Sequence, residues 1–117
     1  MAARPTELTR LPQADDRTLA EVVRRLVEAL HPQRIYLFGS RARSDWTAGS
    51  DYDVMVILDR SSLPRHRRAQ EGCGSLWGVD ASVDVLVWTQ EEFDRQASVT
   101  ASLSATIVRE GHLQYAV

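Results

Sequence analysis

An apolar run, Ile35-Tyr36-Leu37-Phe38, breaks at Gly39-Ser40, and ten residues later Asp51-Tyr52-Asp53 opens a second run, Val54-Met55-Val56-Ile57-Leu58. Short apolar runs bounded by turn residues read as buried strands. The spacing therefore places a glycine-serine turn at the end of one strand and two carboxylates at the start of the next. Asp51 and Asp53 are two apart, so their side chains share a face with Cα atoms about 6 to 7 Å apart. Two negative charges at that range repel by about 3 kcal/mol at an effective dielectric of 20, a standing cost unless a cation bridges them. Magnesium, a hard ion that takes carboxylate oxygens together with substrate phosphates and water, answers that need.

A third carboxylate, Asp84, interrupts the strand pattern Val83-Asp84-Val85-Leu86-Val87. Two readings stay open for it: a strand-edge residue facing water, or a partner of Asp51 and Asp53 if its strand lies beside theirs. In the second case two metal ions could sit among the three carboxylates, activating a hydroxyl and stabilising departing pyrophosphate. Gly39 can take the backbone angles of a tight turn and lets a phosphate approach closely. Ser40 adds a hydroxyl and, if a helix begins there, backbone N–H groups directed at an anion. Arg41 and Arg43 are open between pairing with phosphate oxygens, for which a planar guanidinium is suited, and standing as solvated loop charges.

Phe38-Gly39-Ser40-Arg41-Ala42-Arg43 followed by Ser50-Asp51-Tyr52-Asp53 resembles the signature of the minimal nucleotidyltransferases of the polymerase-β-like superfamily, and the likeness spans residues 17 to 115. Ser44 departs from it, since many relatives have glycine there, a change expected to alter loop shape more than metal chemistry. The resemblance implies a mixed sheet flanked by helices, two Mg²⁺ ions, and transfer of a nucleoside monophosphate, usually AMP from ATP, with release of pyrophosphate. Carried over by position, Gly39 and Ser40 would hold the triphosphate, Asp51 and Asp53 would bind both metals, and Asp84 would complete the set. Stand-alone domains of this size resemble antitoxins whose partner is a helical HEPN-type RNase toxin. That implies adenylylation of the toxin, at a tyrosine hydroxyl. The competing reading is an inhibitor that neutralises its partner by contact, for which Trp46, Trp77 and Trp88 are interface candidates, each also readable as core packing. Transfer to a small molecule such as an aminoglycoside is disfavoured, because such enzymes hold the acceptor with a second domain.

The remainder supplies a scaffold. Residues 1–14, with Pro5 and Pro12, read as a loosely held arm, and 15–117 as one nucleotidyltransferase domain. Leu19, Val22, Val23, Leu26, Val27 and Leu30 make one apolar helix stripe. Thr18 with Glu21 has capping-box spacing, Asp15 or Asp16 offers another start, and His31-Pro32 ends the helix. Ser61 to Gly78 reads as a helix weakened by Gly72 and Gly74, its Arg65-His66-Arg67-Arg68 stretch an exposed face. Ser82 to Trp88 is a strand, and Thr89 with Glu92 caps a helix running to Ala97. A helix over 102–110 stops at Gly111, and Leu113 to Ala116 offers an edge strand. The order predicts an α/β (α+β) fold, a small mixed sheet with helices against one face.

Composition excludes several functions. All fourteen basic residues are Arg, which removes the lysine phosphate loop and Schiff-base chemistry. A net charge of −2 gives no basic surface for a nucleic-acid backbone, so no direct nucleic-acid binding is expected. Cys73, alone, reads as a small partly buried hydrophobe in a reducing compartment. No apolar stretch reaches membrane-span length and Met1 to Pro12 lacks a signal-peptide core, so the expectation is a soluble, cytoplasmic protein.

Overall fold

The computed structural model describes residues 16–43 and 51–117. The expected arm over 1–14, Asp15, Ser44 and Trp46 lie outside the described residues. In chain order the elements are α1 (Arg17–Leu30), β1 (Arg34–Phe38), a 3-10 turn (Gly39–Arg41), β2 (Tyr52–Leu58), α2 (Arg65–Ser75), β3 (Val83–Thr89), α3 (Gln90–Ala97), α4 (Leu103–Glu110) and β4 (His112–Ala116).

Asp16 starts α1, its Oδ1 accepting the Leu19 N–H at 3.0 Å. This settles the choice of cap in favour of Asp16 over Thr18. His31 ends the helix in the left-handed region, φ 49°, with its N–H returned to the Val27 carbonyl. The reversal that follows sends β1 back along α1. Both halves of the expected capping box at α3 are present: the Thr89 side chain accepts the Glu92 N–H, and Glu92 accepts the Thr89 N–H at 2.8 Å.

The strands form one sheet in the order β3-β2-β1-β4. β1 pairs antiparallel with β2 and β4, whereas β2 and β3 run parallel, so the sheet is mixed. The parallel pair requires a crossover, which α2 provides.

Helices cover both faces rather than the one expected. On the first face Leu19, Val22 and Leu26 of α1 pack with Ile35, Leu37, Val54, Val56, Val85 and Val87. Gly72 lets α2 settle there, since a Cβ on it would meet Val85 Cγ1 at 3.0 Å. On the second face Met55, Ile57 and Trp88 pack against Phe93 of α3 and Ile107 of α4. Tyr36 stacks on Phe93 with ring centroids 6.1 Å apart, and Trp88 meets the same ring edge-on. The reason is legible in β2, whose run is apolar at every position: Met55 and Ile57 need cover as much as Val54 and Val56 do.

Three further expectations change. Arg65, His66 and Arg67 are exposed as expected, but Arg68 leaves that face. Arg68 is buried and reaches round the outer edge of β3, donating to the carbonyls of Leu63 (2.8 Å) and Val87 (3.1 Å) and to Glu92 Oε1 (2.8 Å). Arg65 lies over the Trp88 ring at 4.6 Å and 3.6 Å from Glu92. Cys73 is exposed, not half-buried. Of the tryptophans, Trp88 is buried as packing predicts, but Trp77 is 88 % exposed.

Candidate active site

The parallel register of β2 and β3 sets Asp53 directly beside Asp84. On β2, Tyr52, Val54 and Val56 belong to the first face and Met55 and Ile57 to the second. Alternation then turns Asp53 to the second face, with Asp51 following the same parity. On β3, Val83, Val85 and Val87 pack on the first face and Leu86 and Trp88 on the second, which turns Asp84 the same way. Of the two readings of Asp84, the structure places it beside its companion while leaving it exposed to water. The carboxylates occupy the leading ends of β2 and β3, whereas Phe93 covers the trailing half around Ile57 and Trp88.

Burial first, then the charge and hydrogen bond of Asp84 and the charge of Asp51, hold the Asp53 carboxyl above the usual carboxylate range; Arg43 opposes them. Crowded acidic oxygens that resist ionising together are a donor set short of positive charge. All the donors are hard oxygens, the chemistry magnesium takes. Asp53 and Asp84 are register partners on neighbouring strands. Among the described residues, however, no three carboxylate, imidazole or thiolate groups are already gathered as a ligand cluster, so Asp51 would have to close on the pair.

Gly39 presses the turn onto this pair. Its φ is +76°, and a Cβ there would stand 3.0 Å from Asp53 Cγ and closer still to its Oδ2. Phe38 is in register with Asp53, which brings the turn to that position. At Ser40 a 3-10 turn forms, closed by N–H groups of Ala42 and Arg43 on the Gly39 carbonyl at 3.1 and 3.2 Å. Gly39→Ala is expected to cost about 1 to 3 kcal/mol from the left-handed backbone and the clash. It should also displace Asp53, shifting its carboxyl resonance in an NMR spectrum of the variant; an unmoved resonance would contradict the close approach.

The sequence reading missed the support behind the site. Arg41 is buried with its guanidinium 3.9 Å above the Tyr52 ring and 3.9 Å from Asp16. Tyr52 donates its hydroxyl to Asp16 Oδ2 at 2.5 Å. Burial, with Asp16 beside it, pushes that hydroxyl up to about 12. Arg41 is thus not a solvated loop charge: it fastens the turn to β2 and to the start of α1. The available signal was Tyr52 itself, an aromatic between two aspartates that must face the opposite side from them. Arg43 is exposed, and its charge acts on Asp53.

The nucleotidyltransferase domain family matches residues 16–111. No curated protein matches the chain. Among solved structures, that of a "putative nucleotidyltransferase" from Sulfolobus solfataricus is similar in fold, with a TM-score of 0.61 at 22 % identity over 86 % of this chain and 78 % of that one. The matched segment begins at the Asp16 cap and runs through all three carboxylates to Gly111 at the end of α4, so the chain belongs to the nucleotidyltransferase domain family, whose reaction moves a nucleotidyl group from a nucleoside triphosphate.

Proposed function

We propose that this nucleotidyltransferase moves AMP from ATP onto a hydroxyl of a partner protein, a tyrosine of a HEPN-type RNase toxin, and thereby acts as that toxin's antitoxin. The observation that carries the chemistry is the register of Asp53 with Asp84, beside the turn at Gly39. In this reading Gly39 and Ser40 seat the triphosphate, and Asp51, Asp53 and Asp84 are the ligands for two Mg²⁺ ions. Bound there, the ions would supply charge neutralisation for the attacking and leaving oxygens. The acceptor oxygen bonds to the α-phosphorus as the bond to pyrophosphate breaks, and the hydroxyl proton leaves to a neighbouring base. A protein acceptor is supported by the exposure of Asp51 and Asp84 at the sheet end, where a hydroxyl on a folded surface can approach.

Contact without chemistry is the second reading, favoured by the exposed indole of Trp77. One experiment separates them. The chain, labelled ATP, Mg²⁺ and the protein encoded beside it are incubated, with and without the Asp51→Ala, Asp53→Ala double substitution. Labelling of the neighbour by the native chain alone is expected. Equal labelling by both would end the proposal, and neutralisation that survives loss of the carboxylates would favour contact.

A further inference from the structure

The edge of the sheet opposite the site carries apolar surface on both faces. Tyr115 of β4 lies opposite Ile35, hence on the first face, and Leu113 opposite Tyr36, hence on the second. On the first face Tyr115 and the Ala20, Val23 and Val27 row of α1 line a groove of about 470 Å³, with Arg24 and Glu28 also on its walls. On the second, Leu113 is 52 % exposed and Val108 of α4 60 % exposed. β4 contains no Asp, Glu, Lys, Arg or Pro, the residues that ordinarily blunt a sheet edge. β3 at the other edge differs, bearing Asp84 and shielded by Arg68.

We infer that this edge is the interface of a two-fold dimer of the chain. A cover for β4 must bring apolar surface to both faces of one sheet edge at once. A second copy does so through an axis normal to the sheet, which sets β4 against β4, α1 against α1 and α4 against α4. The charges suit the same operation. Arg24 and Glu28 stand one turn apart and pair at 2.9 Å within the chain; antiparallel α1 helices can offer each residue the opposite sign on the other copy. The register shift between Ile35 and Tyr36 bends the strand, so the contact rests on side chains packed over both faces rather than on a continued ladder. β4 has five residues, roughly 17 Å, which points to an interface at the small end of stable ones. The site on β2 and β3 stays outside the contact.

Sedimentation equilibrium of the full chain from about 1 to 200 µM tests this. A monomer–dimer equilibrium is expected. Val108→Glu with Leu113→Glu, both at exposed positions, should raise the dissociation constant at least 10-fold with the circular dichroism spectrum unchanged. Ala20→Arg, which places a large charged side chain in the groove from an exposed helix position, should do the same. A chain that is monomeric throughout, including one that associates only with a different protein, overturns the inference, as does a dimer indifferent to both variants.

Discussion

Replacing Asp53 by Asn is expected to lower nucleotidyl transfer by on the order of 10³-fold while leaving the protein as stable as before, or more so. The two outcomes share one cause. Asp53 is half-buried, and its ionised form is disfavoured by that burial and by the negative charges of Asp84 and Asp51. A neutral amide of nearly the same shape removes those penalties from the folded state. It also removes the carboxylate proposed as the central metal ligand, and an amide binds a hard divalent cation far less well than a carboxylate. Turnover with Mg-ATP and a thermal melt on the same sample check both halves. Transfer above a tenth of the native rate would show that Asp53 is not where charge is managed, and a clear drop in Tm would show that the carboxylate is structural.

The second large effect lies at the far end of β3. Glu92→Ala should destabilise the fold by about 3 to 5 kcal/mol, because it strands the buried Arg68 guanidinium without its counter-charge. That is a large share of the roughly 5 to 15 kcal/mol that holds a domain of this kind together. Arg68 Nη1 and Nη2 meet Glu92 Oε1 and Oε2 at 2.8 and 3.3 Å, with side chains only 7 % and 20 % exposed, so screening by water is slight. Replacing both partners by apolar residues, Arg68→Met with Glu92→Leu, should recover much of the loss. The pair also sets a pH dependence. Arg68, aided by the Thr89 amide and offset in part by burial, holds the Glu92 carboxyl at about 2 against its ordinary 4.5. A depressed folded value contributes stability that is complete above the ordinary value and fades as pH falls toward 2, roughly 3 kcal/mol in all. Urea midpoints at pH 7 and pH 3 should therefore fall further for the native chain than for Glu92→Gln. Parallel falls would contradict the assignment.

Much of the frame was legible in local chemistry. The Gly39 turn, the β2 run and the Thr89–Glu92 cap are written within a few residues of where they act, and the structure forms each of them. Parity alone predicted that Asp51 and Asp53 share a face; that Asp84 joins them depended on β3 pairing parallel with β2, a long-range fact no local pattern contains. The errors have the same origin. Arg68 looked solvated because Glu92, its partner, lies about twenty residues away along the chain. That Arg41 is buried against Asp16 was hidden because Asp16 lies far upstream. Trp77 follows the last turn of α2, where the chain leaves the sheet, and so stands out from the core that its hydrophobicity suggested it would join.

A parallel pair has one further implication. The stretch joining β2 to β3 has to leave the sheet, run back along its face and re-enter at the same end, and its conformation is pinned mainly by Arg68 and Gly72. Residues Gly78 to Ala81, between α2 and the leading end of β3, fall outside those pins. Insertions there would reshape what the enzyme meets without moving the aspartates, so a lineage could trade one acceptor for another while its reaction chemistry stood still.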